Sequence, residues 1–206
     1  MSTKPTTFTE TARRTQIVRA AVATVNEIGY PHASLSAIAR HAGVAKSAIL
    51  YYFDSKDALL EHACDAIFGE LYMRLERAVG SESEPARQLL AYATTYLDYV
   101  NTHRAEITAG MEIMISHRGP DGIPLYLAGT DEDTALLRGV ITDGIASGVF
   151  RPIDPRIAVG IVESLLDFAS TEVQRDPEGD LTALNEEIIT VLSRGLAPTS
   201  SYLALG

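Results

Sequence analysis

The sequence predicts an all-α protein: an N-terminal head of three short helices followed by a C-terminal helical bundle, about nine helices altogether. Three observations carry this. Apolar residues recur at i, i+3, i+4 and i+7 through most of the chain, from Ile17 to Leu196. No stretch alternates apolar and polar with period two for long enough to make a strand. Helix breakers fall between the periodic stretches, at Gly29 and Pro31, Gly43, Gly80 to Pro85, Gly148 and Pro155.

Residues 1–11, rich in Thr with one Pro, read as a flexible arm, or as an arm whose Lys4, with Arg13 and Arg14 beyond it, reaches toward phosphates. The first helix spans Thr11 to Ile28 with Ile17, Ala21, Val25 and Ile28 inward, flanked by the small Ala20 and Thr24. Gly29 ends it and Pro31 blocks its resumption. Ser34 then caps a second helix, in which Leu35, Ile38, Ala39 and Ala42 form one apolar face. Gly43 turns the corner, because a helix C-cap needs a left-handed backbone that glycine adopts cheaply, and Val44 plugs it. A third helix covers Ala45 to Phe53, with Ile49 and Phe53 inward; Lys46, Ser47, Leu50 and Tyr51 are left to point out. Asp54 can cap the next helix, from Ser55 to Val79, whose stripe is Leu59, Ala63, Ala66, Ile67, Leu71 and Leu75. At ~37 Å it suits a rigid connector to the rest of the chain. After the Gly80–Pro85 turn, helices are expected over 85–101, 104–116, 130–147, 155–175 and 181–196, with a loop at 117–124. Asp131-Glu132-Asp133 sits where a helix dipole favours acids. The division is thus an arm over 1–11, a head over 12–57 with the connector from 55 to 79, a body over 58–198 and a tail over 199–206.

Two short helices around a glycine corner, the second polar outside, form the pattern of a helix-turn-helix whose second helix enters a DNA major groove. An ordinary packed helix pair shares the bare pattern, but an outward Lys-Ser-Ala followed by two tyrosines has no packing purpose. Ser34 and Lys56 would flank the groove at phosphates. The stretch closely resembles the DNA-binding domain of the TetR family of bacterial transcriptional regulators. That family runs Thr-x-x-x-Ile-Ala, Ala-Gly-Val-Ser, Leu-Tyr-x-His/Tyr-Phe and Ser-Lys-x-x-Leu. Here it reads Ser34, Ile38-Ala39, Ala42-Gly43-Val44-Ala45, Ile49-Leu50-Tyr51-Tyr52-Phe53 and Ser55-Lys56 with Leu59, preceded by Ile28-Gly29-Tyr30. Ala45 departs from the usual capping serine, and Leu50 from a frequent tyrosine, so an apolar contact to a thymine methyl is available there. By geometry and resemblance, Lys46, Ser47, Ala48, Leu50 and Tyr51 are the expected base-side residues, with Ser34, Tyr52 and Lys56 on the backbone.

The resemblance continues more weakly into the body, where Ile145-Ala146-Ser147-Gly148-Val149-Phe150-Arg151-Pro152-Ile153-Asp154-Pro155 looks like the linker before the family's last two helices. It implies a homodimer built on those helices, for which Ile157, Ile161, Leu165, Leu184, Ile188 and Val191 are the candidates. Both helices are apolar over wide faces, more than one intramolecular side needs. It also implies a small-molecule effector bound in the body. Tyr92, Tyr96, Tyr99, Met111, Met114, Tyr126 and Phe168 are the candidate lining, as adaptable or amphipathic side chains. Arg104 or His117 could orient a polar group on such a ligand. The expected protein is a repressor that binds a palindromic operator and is released by its effector; a ligand-independent or activating regulator is the alternative.

Composition narrows the field further. At 206 residues and 46% hydrophobic, the chain can bury a sizeable core. It has no apolar run of ~18 residues and no apolar leader near the N-terminus, and its single cysteine, Cys64, reads as a small buried hydrophobe; a cytoplasmic protein is expected. The net charge of −10 is unevenly spread: residues 1–62 hold seven Lys/Arg against five acids, the remainder ten against twenty-two. The acid therefore lies outside the proposed DNA head, whose modest positive charge predicts salt-dependent binding. Catalytic and metal spacings such as His-Glu-x-x-His, Glu-x-x-His, Cys-x-x-Cys, Gly-x-x-x-x-Gly-Lys-Ser/Thr and Gly-x-Ser-x-Gly do not occur, so neither an enzyme, a cofactor nor a metal is expected. His32, His41, His62, His103 and His117 read as surface or helix-end residues.

Overall fold

The computed structural model describes residues 8–128 and 134–198, which form two compact units, one of residues 8–69 with 105–128 and one of 70–104 with 134–198. All regular structure among the described residues is helical, apart from a single bridge between Arg118 and Pro124.

The first unit contains α1 (Phe8–Ile28), α2 (Leu35–Ala42), α3 (Lys46–Tyr52), the start of α4 (Lys56–Gly80), nearly all of α6 (Arg104–Ser116) and a 3-10 turn at Leu125–Leu127 that periodicity did not suggest. Its core is Ile17, Ala21, Val25, Ile38, Ile49, Phe53, Leu59 and Leu60, with Ile107 and Ile113 from α6. α1 begins three residues before its expected start. Ile28 does not join the core: it ends α1 beside the Gly29 turn and stays 37% exposed, while Thr24 on the same face is buried, its hydroxyl donating to the Ala20 carbonyl at 2.6 Å. Leu35 and Val44 are only half-buried. Along α4 the buried positions run 59, 63, 67, 71, 75 and 79, with Leu60 and Cys64 beside them, whereas Ala66 is exposed. Residues four apart advance about 40° past a full turn, so the stripe winds away from Ala66. The cap of α4 also differs: the Ala58 N–H donates to Ser55 Oγ at 3.0 Å, so Ser55 holds the place expected of Asp54. Cys64 is buried near the Gly110 carbonyl, and burial, with Asp65 and Glu61 nearby, pushes its thiol up to about 12. A cysteine so far from ionisation behaves as the small hydrophobe expected of it.

Residues 105–128 return to the head through a polar network. Glu112 accepts the Tyr30 N–H at 2.6 Å, and Asn26 donates to the Ala105 carbonyl at 2.8 Å. His117, expected at the surface or at a helix end, directly follows the end of α6, its N–H donating to the Ile113 carbonyl, but is only 3% exposed, so the surface alternative is corrected. One ring nitrogen lies 2.9 Å from Tyr30 Oη and the other 2.9 Å from Glu61 Oε1. Sequence spacing hid this because the partners are 87 and 56 residues away. Burial, then the charges of Asp57 and Glu61, holds the Tyr30 phenol above its ordinary value.

The second unit contains the end of α4, α5 (Pro85–Thr102), α7 (Ala135–Ala146), α8 (Pro155–Arg175) and α9 (Thr182–Leu196), with α5 packed against α7, α8 and α9. Asp131-Glu132-Asp133, expected at the start of α7, lies outside the described residues. Asp154 caps α8 by accepting the Arg156 N–H at 2.8 Å, with Pro155 in the first turn, where its missing donor costs nothing. Gly148, at φ 75°, follows the end of α7, and Phe150 then folds back so that its N–H reaches the Gly144 carbonyl at 2.9 Å. Arg151 closes the end of α9, its N–H donating to the Leu196 carbonyl and its Nε to that of Gly195. Among the described residues no helix is long and apolar enough to cross a membrane.

Candidate nucleic-acid interface

The corner between α2 and α3 is built as its residues dictate. Ser34 Oγ accepts the Ala37 N–H at 3.2 Å, so the entry of α2 is capped. Gly43 sits at φ 64°, ψ 33°, its N–H directed at the Ala39 and Arg40 carbonyls. A Cβ there would meet nothing within 4 Å, so the glycine is needed for its backbone angle and not for space. Gln16 of α1 donates to the Ala42 carbonyl at 2.8 Å and ties down the end of α2. Ile38, Ala39, Ala42, Ile49 and Phe53 are buried, and Arg14 lies 4.6 Å over the Phe53 ring.

This burial leaves one face of α3 in solvent. Lys46 and Ser47 are exposed, Leu50 is 45% exposed and Tyr51 74%, while Ala48 and Tyr52 are half-buried. Tyr51 and Tyr52 meet edge to face at 5.0 Å. The face offers an ammonium, two hydroxyls and two apolar surfaces on a helix of seven residues, a size and chemistry suited to base edges and phosphates in a major groove. Lys56, expected on the DNA backbone, donates its Nζ to the Tyr30 carbonyl at 2.9 Å and stands 4.4 Å over the Tyr30 ring. Ala45 has the extended backbone of an N-cap (φ −70°, ψ 146°) but no side chain to accept a bond. Ala45→Ser should therefore raise stability by about 0.5–1 kcal/mol, seen as a higher Tm in thermal unfolding; an unchanged Tm would show that this helix end gains nothing from a cap.

Of the residues expected to line an effector pocket, Tyr92, Tyr96, Tyr99 and Phe168 belong to one unit and Met111, Met114 and Tyr126 to the other. Tyr99 is a core residue, 1% exposed and stacked on His103 at 4.0 Å, whereas Tyr126 is 50% exposed and Phe168 43%. Arg104 is occupied by the Pro177 and Gly179 carbonyls, each at 2.8 Å, and His117 by Tyr30 and Glu61. An apolar pocket of about 190 Å³ does occur in the second unit, among Leu89, Leu90, Phe150, Ile189 and Leu192, none of them expected as pocket lining. Of the dimer candidates, Ile157, Ile161 and Val191 are 49%, 46% and 42% exposed, and Leu165 and Leu184 half-buried. Ile188 is the exception, 2% exposed within the single chain, because its face of α9 is already packed. Phe168 lies on the same side of α8 as Ile157 and Ile161.

A glycine corner, a capped entry helix and a short outward-facing second helix define a helix-turn-helix protein, and with it a DNA-binding transcriptional regulator. Residues 17–63, which hold this helix-turn-helix, match the family described as bacterial regulatory proteins, tetR family. It is 28% identical over 185 residues to the fatty acid metabolism regulator protein of Bacillus subtilis, a match covering 88% of this chain and 94% of that one. Two solved structures are similar to it. The fatty acid degradation regulator FadR from Bacillus halodurans has a TM-score of 0.77 at 23% identity over 95% of this chain and 98% of that one. FadR from Bacillus subtilis, in complex with stearoyl-CoA, has a TM-score of 0.75 at 25% identity over 88% and 98%.

Proposed function

We propose that the protein is a cytoplasmic, homodimeric repressor that binds a palindromic operator and is released by a small-molecule effector. The observation that carries this reading is the exposed face of α3. Lys46, Ser47, Ala48, Leu50 and Tyr51 are directed at base edges and the nearest phosphates, and Ser34, Tyr52 and Lys56 hold the backbone on either side. Two such helices, one per protomer, would read half-sites one helical turn apart.

The dimer reading is supported by α8 and α9, where Ile157, Ile161, Phe168 and Val191 leave apolar surface in water on a single chain. A patch of this kind marks an interaction surface, and isologous pairing of α8 and α9 with their own copies would cover it. The expected result is a dimeric mass in sedimentation velocity for the wild-type chain and a monomeric one for Ile161→Glu, which places a charge in the centre of the patch. Operator affinity of that variant should fall at least tenfold, because each half-site then binds alone. A wild-type chain that sediments as a monomer overturns the dimer.

For the effector, the similar FadR structure holds stearoyl-CoA. What is carried over is the role of a small molecule in the body, not its identity. Selection of bound sequences from random duplex DNA would give the operator, and its titration with effectors would test release.

A further inference from the structure

A polar cluster of the first unit centres on Tyr30, in the turn between α1 and α2. Its N–H is held by Glu112 at 2.6 Å, and its hydroxyl lies 2.9 Å from His117 Nδ1, both partners coming from the returning segment. His117 is in turn tied to Glu61 of α4 at 2.9 Å. Tyr30 is thus gripped at backbone and phenol alike. Its carbonyl and the face of its ring remain, and together they make a seat.

Lys56, the first residue of α4, occupies that seat. Its Nζ donates to the Tyr30 carbonyl at 2.9 Å and lies 4.4 Å from the centroid of the Tyr30 ring. The carboxylates of Asp57 and Glu61 stand instead at His117, 3.8 and 2.9 Å from its ring nitrogens, and neither is paired with Lys56. The positive charge is therefore held without being neutralised, since a carbonyl and an aromatic face offer only partial negative charge.

Two properties make this more than a stitch between a turn and a helix. An ammonium has three donors; the Tyr30 carbonyl takes one and leaves two, and Lys56 is only half-buried, so one side stays open. A free lysine is a flexible stem that loses much rotamer freedom when it meets a phosphate. One already held over a ring has lost that freedom before DNA arrives, which is the general advantage of preorganisation. The first turn of α4, where Lys56 lies, also favours an anion through the helix dipole.

We propose that Tyr30 is a positioning residue for DNA binding: its carbonyl and ring hold the Lys56 ammonium ready, with two N–H donors left for a phosphate of the duplex. Tyr30 itself touches no DNA and acts through Lys56. The inference rests on the reading of a DNA-binding regulator with Lys56 on the backbone, and adds the residue that prepares that contact.

The test is a fluorescence-anisotropy titration of the selected operator and of a scrambled duplex with the full chain, at several salt concentrations. Lys56→Gln should weaken both duplexes at least threefold and reduce the salt slope by about one. Tyr30→Leu keeps the lysine but removes the ring, and should also weaken both at least threefold. The double variant should bind like Lys56→Gln alone, because Tyr30 acts only through Lys56. Tyr30→Phe, which keeps ring and carbonyl, should stay within twofold of wild type. Losses that add in the double variant mean a purely structural Tyr30 and overturn the proposal. So does a Tyr30→Leu protein that binds as wild type, one that loses affinity on the operator alone, or a Tyr30→Phe protein as weak as Tyr30→Leu. If melting curves show that Tyr30→Leu does not fold, the wild-type protein still decides. Its Lys56 ε-proton NMR signals, identified by their absence in Lys56→Gln, should be shifted upfield by the ring and remain so on the operator. Signals at the position of a free lysine, or that return there when DNA binds, overturn the seat. A Lys56→Gln protein that binds as wild type overturns the proposal and leaves the regulator reading standing. A wild-type chain that binds no duplex sequence refutes the regulator reading and the proposal with it.

Discussion

Replacing Tyr51 with alanine lowers operator affinity ten- to a hundredfold and leaves Tm unchanged. The side chain is 74% exposed and meets Tyr52 edge to face, so the fold loses little when it is removed. On DNA the same ring would be desolvated against base edges or a sugar, where a good contact is worth about 1–3 kcal/mol. Lys46→Ala shares the direction but not the signature. A lysine at a phosphate weakens binding about equally on all sequences and flattens the salt dependence, whereas loss of a base contact relaxes specificity. Mobility-shift titrations of both variants at two salt concentrations, on operator and on scrambled duplex, separate these roles. If both variants bind as wild type, α3 is not the reading helix.

Gly144→Ala unfolds the body at a much lower temperature than wild type. A Cβ built on Gly144 would fall 2.0 Å from Cδ2 and 2.2 Å from Cε2 of Phe150. The ring cannot swing away freely, because Phe150 is 6% exposed and its own N–H is held by the Gly144 carbonyl. Overpacking of this kind costs about 3 kcal/mol, or roughly 6–12 °C in Tm for a chain of this size. Combining Gly144→Ala with Phe150→Leu should lose less than the sum of the two changes, since the smaller side chain leaves room for the methyl group. Differential scanning calorimetry of the single and double variants checks this; additive losses would mean the two residues do not compete for space.

The helix-turn-helix was legible because its signals are local. Ser34, Gly43 and the spacing of Ile38, Ala42, Ile49 and Phe53 act over one or two turns, and the structure forms α2 and α3 within a residue or so of where they were expected. The helices of the body were legible for the same reason, since their breakers are glycines and prolines. What the sequence concealed depends on pairs distant in the chain. His117 looked like a loop histidine because Glu61 and Tyr30 are far from it in number. Phe168 turns out 43% exposed because composition does not say which way a side chain on an amphipathic helix faces, and Tyr126, 50% exposed, lies in a 3-10 turn that periodicity did not suggest. The bond from Tyr96 to Asp167 was hidden in the same way, its two residues lying 71 apart in the chain.

The return of residues 105–128 to the head sets a limit on grafting. A fragment cut after residue 80 would retain every side chain of α1 to α4, yet it would strip the Tyr30 N–H of Glu112 and both Tyr30 Oη and Glu61 of His117. It would also lose Ile107 and Ile113, both fully buried. The reading head is thus not a cassette to be transplanted by its first eighty residues: its underside is finished by chain made later.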